Sequence, residues 1–482
     1  MLIPKNNANQ MRTRILVKIV EKFLQGRFAD ADRIPLELRP KGGEVSRCCI
    51  YKDRAILKYR CMASMGFAPE DETDELTSLK EYGERALARS EHAVNKLSVI
   101  TDACSGCIRS RYLVTDRGCF AKPCQVNCPK QAITIVNGRS TIDPDKCISC
   151  GRCQEVCPYH AVIRVPIPCE EACPVGAISK DESGKEHIDP EKCILCGKCL
   201  QSCPFGAVVE MSQMVDVLKL LADENKKVVA MLAPAVLGQF PGTINNLIGA
   251  LKKLGFADVV EVAIGADITT RKEAAEFIEK TENGEKMMTT SCCPAYYKAA
   301  DLHIPEIKPF VSHTRTPMYY TAELLKQEQP ECTAVFVGPC LAKRFEAEND
   351  PNVDYVLTFE EIGAMLVASG INVADCEPQE FAKISCAQGR RFPVSGGVAG
   401  AVASRVEGKA EFKPTAINGL NKASIKLLKQ YATKGSDFNM IEVMCCEGGC
   451  VAGPGCVALA KKSAIMVENY VKTAPDLKDK QD

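Results

Sequence analysis

Twenty-eight cysteines are the residues through which this 482-residue sequence could do chemistry, and their spacing sorts them. Eighteen lie between Cys48 and Cys203 and ten between Cys292 and Cys456, while the 88 positions from Pro204 to Ser291 hold none. Two segments repeat one another. IDPDKCISCGRCQEVCPYHAV carries Cys147, Cys150, Cys153 and Cys157, and IDPEKCILCGKCLQSCPFGAV carries Cys193, Cys196, Cys199 and Cys203. Each reads C-x2-C-x2-C-x3-C-P, a spacing at which three thiolates wrap one face of an iron–sulfur cubane and the fourth, before proline, reaches a neighbouring cluster. Zinc sites come instead as two C-x2-C pairs across a long gap. A disulfide scaffold belongs to short exported chains, and the N-terminus here, MLIPKNNANQMRTRILVKIV, lacks a signal peptide's cleavage region.

Each run is preceded by a half-motif, KPCQVNCPKQAI with Cys124 and Cys128, and IPCEEACPVGAI with Cys169 and Cys173. Each pair therefore resembles a bacterial ferredoxin whose first half has degenerated. By the crossing rule Cys128 joins Cys147, Cys150 and Cys153, and Cys173 joins Cys193, Cys196 and Cys199. Cys157 is then completed by three of Cys104, Cys107, Cys119 and Cys124. Three accessory [4Fe–4S] clusters follow, strung as an electron wire. A fourth, on Cys169 and Cys203, needs two ligands that spacing does not assign.

A wire needs a terminus, and the second cysteine zone offers one. Cys293 in TTSCCPAY, Cys340 in VGPCLAKRFEAE, and Cys446 and Cys450 in EVMCCEGGCVAGPG each follow a short apolar run that reads as a strand. In a parallel sheet the three motifs emerge at one edge, beyond the strand ends, where such sheets bind ligands. Gly448, Gly449, Gly453 and Gly455 allow close backbone approach to a bulky group. Cys332, Cys376, Cys386 and Cys456 lack such settings and read as buried thiols, and Cys48, Cys49 and Cys61 as ordinary ones.

The elements that must position these cysteines divide the chain. Residues 1–100 read as a helical N-terminal region, including the segments 13–28 and 75–97. Residues 101–210 form an α+β ferredoxin-like multi-cluster domain. From 225 to 465 the candidate strands KVVAML, DVVEVAIG, EKMMTT, TAVFVG and NMIEVM alternate with helical TINNLIGALKKLGF, RKEAAEFIEKTE and TFEEIGAMLVASG. That alternation predicts an α/β domain with largely parallel sheets. Residues 466–482 read as a flexible tail. With 61 basic and 61 acidic residues, the balanced charge gives no electrostatic case for nucleic acid or an anionic membrane. No apolar run reaches membrane-spanning length, so a soluble, cytoplasmic protein is expected.

The three later motifs, with Glu442, Met444, Cys446, Gly449, Cys450 and Gly453 in the last, resemble the signatures of the [FeFe]-hydrogenase catalytic domain over roughly residues 225–465. The resemblance implies an H-cluster, a [4Fe–4S] cubane joined through one cysteine to a two-iron subsite carrying CO, cyanide and a bridging dithiolate amine. It implies that Cys293, Cys340 and Cys446 hold the cubane and that Cys450 bridges. It makes Cys292 a proton carrier, continued by Ser312 in VSHTRTP and by Glu273 and Glu276 in GADITTRKEAAEF; on residues alone that glutamate pair reads as a solvated helix face. Ala233, Pro234 and Ala235 are expected near the dithiolate and cyanide, and Lys343 as a donor to a cyanide. The chain departs from better-known members at Gly338, Tyr296, Thr316-Pro317-Met318 and Gly453-Pro454-Gly455-Cys456, which implies a differently lined pocket.

The resulting expectation is reversible H2 formation and oxidation, with electrons from ferredoxin or another low-potential carrier and a subsite delivered by hydrogenase maturation proteins. No G-x-G-x-x-G follows a strand, so direct use of NAD is not expected. The alternatives are an H2- or redox-sensing homologue, an iron–sulfur assembly protein, and an electron carrier without turnover.

Overall fold

A computed structural model of the protein describes residues 7–43, 48–73, 76–105, 107, 111–115, 119–143 and 145–477. Apolar residues at helical spacing make the first element: Ile15, Leu16, Ile19 and Val20 are the buried stripe of the Asn7–Leu24 helix. That stripe packs on the Phe359–Ala368 helix, so the N-terminal helices share the core of the C-terminal half. The helix expected across 75–97 is shorter, Leu79–Ala88, capped by Ser78 accepting from the Glu81 N–H at 3.1 Å. It ends at Arg89, whose guanidinium turns away to Asp216 (two contacts of 2.7 Å) and the Met65 carbonyl. A tertiary ion pair there outweighs weak helix propensity. Among the described residues no helix is long and apolar enough to cross a membrane.

The chain then enters strand β1 (Leu97–Val99), followed by β2 (Arg111–Val114), β3 (Ile133–Val136), β4 (Arg139–Ile142), β5 (Val162–Val165), β6 (Ile178–Lys180), β7 (Glu186–Ile188) and β8 (Val208–Glu210). These pair antiparallel as β1–β8, β2–β5, β3–β4 and β6–β7. The cysteine runs occupy the turns and short helices between these hairpins. The β1–β8 pairing carries the end of the helical region into the cluster domain.

The C-terminal half is α/β with two parallel sheets. One has the order β10 (Asp258–Glu261), β9 (Val228–Leu232), β12 (Thr333–Gly338), β13 (Tyr355–Thr358); the other β11 (Met288–Thr289), β15 (Met440–Met444), β14 (Pro414–Asn418). β9 is buried at every position, as a strand covered on both faces must be. The single sheet edge expected for the three motifs is thus two facing edges: Cys340 leaves β12 of one sheet, while Cys293 and Cys446 leave β11 and β15 of the other. DVVEVAIG was expected as one strand, but it stops at Glu261 and the Ala263–Glu282 helix begins immediately. Edge strands β13 and β14 were not expected; they are short, and β14 starts on a proline. The expected flexible tail is ordered through Leu477: the Ala460–Val471 helix runs through it, Leu477 is buried, and Ala387 N–H bonds the Pro475 carbonyl at 2.8 Å. Residues 478–482 lie outside the described residues.

Candidate metal centre and its proton and electron routes

Where the two sheets face each other, the strand ends open into a cavity of about 100 Å³. Cys293, Cys340, Cys446 and Cys450 all line it, with Lys343 the only charged lining side chain among the described residues. Cys293 is the N-cap of the Pro294–His303 helix, where burial raises its thiol and the backbone N–H groups of Tyr296, Cys445 and Ala295 work against that rise. Gly449 follows Cys446 with φ of 91° and a Cβ there would meet the Pro393 carbonyl at 2.4 Å, so only glycine admits this turn.

Whether these residues fit a cubane is tested by their mutual charges. Burial pushes every one of the four thiols up, Cys340 to about 12, and three of them also feel their neighbours: Cys340 feels Cys293, Cys450 feels Cys340 and Cys293, and Cys446 feels all three. Four thiolates in one dry cavity are stable only around a strongly cationic group, which deprotonates coordinating thiols outright. Among the described residues no three His, Cys, Asp or Glu converge at the spacing one metal ion needs. The thiols line one shared cavity and act on one another, as ligands of one polynuclear cluster do. The donor set fits the cubane.

The rest of the lining matches a small, apolar-walled subsite. Ala233, Pro234, Ala235 and Met444 lie on it. Lys343 is buried and held by Glu346 at 2.6 Å and Thr316 at 3.0 Å; burial pushes its ammonium down, but the Glu346 charge outweighs that and the net shift is upward. Of the departures, Met318 and Gly453 face the cavity, whereas Tyr296, Gly338 and Cys456 do not. Tyr296 is turned into the core and shares a 2.7 Å hydrogen bond with Thr289. Phe336, two residues before Gly338 and so on the same strand face, fills the space where a 338 side chain would begin, its ring within 2.3 Å of that Cβ position. Phe336 is a lining residue that motif reading missed, because the period-2 compensation lies outside the motif.

Cys292 lines the cavity without joining the four. After burial, the largest influence on its thiol is Glu273. Glu273 is fully buried and neither carboxylate oxygen makes a hydrogen bond of good geometry, so burial, then the charge of Glu276, pushes it up to about 8. Ser312, also buried, donates to Glu276 at 2.6 Å. Glu276 further accepts from the Thr314 hydroxyl at 2.9 Å and the His313 N–H at 2.9 Å. Burial raises Glu276, but these bonds and Lys280 win and hold it below the usual range. His313, whose side chain is 83 % exposed, places its ring 3.6 Å from Glu276 and marks the solvent end. The pair is therefore no solvated face: one acid is dry, the next is ionised at the protein surface. No spacing signal could have singled out His313.

The accessory cysteines show a repeated local geometry. Cys128, Cys157, Cys173 and Cys203 each accept at Sγ from the alanine N–H four residues on, at 3.2–3.4 Å. Cys147 and Cys193 do so from Ser149 and Leu195, both held at positive φ of 54° and 56°. A left-handed non-glycine costs about 1–2 kcal/mol, and here it turns amides toward sulfur. Cys173, Cys193, Cys196 and Cys199 are mutual charge neighbours. Cys128, Cys147, Cys150 and Cys153 line one small cavity. The remaining grouping corrects the expectation: Cys107 neighbours Cys104 and Cys203 rather than Cys157, and Cys124 neighbours Cys119 and Cys157. Spacing could not show this, because the β1–β8 pairing that decides it is a long-range contact.

Cys196 also lines the central cavity, beside Cys445 and Cys446. Cys445, unassigned in the motif reading, is the neighbour with the largest influence on the Cys196 thiol and pulls it down, while its own is raised. Cys445→Ala is expected to shift the reduction potential of the adjacent cluster negative by on the order of tens of millivolts, since hydrogen bonds to sulfur set such potentials. An EPR-monitored redox titration checks this, and an unchanged potential would leave Cys445 a space-filling residue.

Comparison with known proteins agrees with this geometry. The family model described as iron only hydrogenase large subunit, C-terminal domain, matches residues 226–454. A 4Fe-4S dicluster domain matches 168–207 and a 4Fe-4S binding domain 140–163. The chain is 32 % identical over 372 residues to the periplasmic [Fe] hydrogenase large subunit of Nitratidesulfovibrio vulgaris, covering 65 % of this chain and 85 % of that one. It is 28 % identical over 401 residues to the NADP-reducing hydrogenase subunit HndD of Solidesulfovibrio fructosivorans, covering 65 % of this chain and 63 % of that one. It is also 26 % identical over 263 residues to a probable cytosolic Fe-S cluster assembly factor of Drosophila virilis, covering 43 % and 55 %.

Proposed function

The chain belongs to the iron-only hydrogenase family, and from that premise we propose that it catalyses 2H⁺ + 2e⁻ ⇌ H2 at the cavity between its two sheets. When bound, the H-cluster supplies the redox-active irons at which protons, electrons and H2 are exchanged. Cys293, Cys340 and Cys446 would hold the cubane, Cys450 would be shared with the two-iron subsite, and Lys343 would donate to an anionic subsite ligand. The apolar walls exclude bulk water, which strengthens that charge contact. Excluding water also obliges the protein to move protons through its own groups. Cys292 holds a proton at Sγ against the cavity, Glu273 at its carboxyl, and Ser312 at Oγ against Glu276, which exchanges with solvent beside His313.

The series of titratable groups from the cavity wall to the surface, Cys292, Glu273, Ser312 and Glu276, is the observation that carries the reading. An assembly protein has no evident use for it, although assembly factors are among the chain's relatives. Electrons would arrive through the accessory clusters, Cys196 being the thiolate nearest the centre, from ferredoxin or another low-potential carrier in the cytoplasm. Hydrogenase maturation proteins would deliver the subsite. The reading is tested by H2 evolution from reduced methyl viologen with protein loaded with both cluster parts. Turnover well above that of the subsite-free protein is expected; a fully loaded protein that makes no H2 would leave the sensing or assembly alternatives.

A further inference from the structure

In a bacterial ferredoxin pair each cluster takes three thiolates from one run and the fourth from the other. The half-motif Cys169–Cys173 keeps only the last two cysteines of its run, since Ile163 and Pro166 stand where the first two belong. A site built on Cys169 and Cys203 is therefore two thiols short within its own segment.

The fold brings two thiols from elsewhere. Antiparallel pairing of β1 with β8, continued by the Ile100 N–H to the Ala207 carbonyl at 2.8 Å, lays residues 100–104 against the turn that begins at Cys203. Cys104 N–H folds back onto the Ile100 carbonyl at 3.0 Å, and the Cys104 carbonyl is pinned by the Lys185 ammonium at 2.7 Å. Cys104, Cys169 and Cys203 are buried in one core, with half-buried Cys107 packed against it. The thiols that act on Cys107 are Cys104 and Cys203, and those that act on Cys169 are Cys203 and Cys107, so the four are neighbours, with the buried Glu186 bordering both Cys107 and Cys169. Cys104-Ser105-Gly106-Cys107 is itself a C-x2-C pair, the part the run has lost.

We propose that Cys104, Cys107, Cys169 and Cys203 bind an accessory [4Fe–4S] cluster of their own, its C-x2-C half supplied from upstream of both ferredoxin-like runs. The Lys198–Ser202 helix carries Cys199 to the cavity-side cluster and is followed by Cys203, a thiol of this one. The new cluster is thus next in line from the centre. Cys124 keeps Cys119 and Cys157 as its thiol neighbours, apart from this set.

The test is iron and sulfide content, with EPR and Mössbauer spectra, on full-length protein reconstituted without the two-iron subsite. These readouts require no H2 turnover, so their outcome is separate from the proposed activity. Cys104→Ala/Cys107→Ala is expected to lose about four irons per chain and one cubane signal. Cys169→Ala/Cys203→Ala is expected to lose the same signal, and the combined quadruple variant no more than either. Retention of the signal belonging to the Cys173, Cys193, Cys196 and Cys199 set shows that a variant has folded; where it is lost, the Cys→Ser versions, which keep a ligating atom, replace the alanines and are expected to shift that one signal only. Unchanged iron in Cys104→Ala/Cys107→Ala, additive loss in the quadruple variant, or loss of the same signal in Cys157→Ala would overturn the assignment.

Discussion

Cys292→Ala should lower H2 turnover by about 10²–10⁴-fold, the usual contribution of a positioned proton-transfer group, while the infrared bands of the subsite's CO and cyanide ligands stay in place. The two halves of this expectation rest on different contacts. The bands stay because Cys293, Cys340, Cys446 and Cys450 are the four thiols assigned to the metal centre, and Cys292, although it lines the same cavity, is not one of them. Turnover falls because Cys292 is the relay group that faces the cavity, and Glu273, which acts on its thiol, is buried and is itself influenced by Glu276 and Ser312. Alanine removes one methylene-bound sulfur and leaves a gap that a proton must cross unaided. If Cys292 were only packing, turnover would stay within a few-fold of wild type. That result would remove the relay from the account while leaving the metal centre standing.

The largest stability loss is expected at Arg344, away from the chemistry. Arg344 is 1 % exposed and its guanidinium spans Glu361, with two contacts of 2.8 Å, Glu210 at 2.8 Å and the Met211 carbonyl at 3.0 Å. Arg12 from the first helix reaches the same Glu210 at 2.8 Å and Glu360 at 2.7 Å. One buried network therefore ties the N-terminal helix, the end of β8 in the cluster domain, and the sheet that carries Cys340. Arg344→Met leaves two carboxylates buried without their main partner, which costs about 3–5 kcal/mol. The midpoint of urea unfolding should fall accordingly. Arg391→Ala is the matched control: its 3.0 Å pair with Glu468 is solvent-exposed, and such pairs are worth about 1 kcal/mol or less. Equal midpoints for the two variants would show that the network does not join the domains.

What could be read from the sequence, and what could not, follows the range of the contacts involved. Cys293, Cys340, Cys446 and Cys450 sit in motifs that each end a strand, so local spacing was enough to group them. Their convergence from two sheets, instead of one, needed the pairing of β9 with β12 and of β11 with β15, which no local pattern encodes. The same holds for Cys104 and Cys107, separated from Cys203 in sequence and joined by the β1–β8 ladder. Glu273 and Glu276 looked like any surface pair; only the packing of their helix shows that one is dry and the other is hydrogen-bonded to Ser312. As a chain terminus the tail reads as flexible, yet Leu477 anchors it in the core. Phe336 replaced a missing side chain at 338 from two residues away, a compensation visible only once the strand face is known.

The central claim is that the cavity between the sheets holds an H-cluster on four named cysteines. It is tested most directly by the infrared spectrum of full-length protein, reconstituted with iron and sulfide and then supplied with the two-iron subsite. The account predicts protein-bound CO and cyanide bands in wild type that persist through desalting and are lost in Cys450→Ala. A wild-type protein with its cubanes in place and no such bands would contradict it.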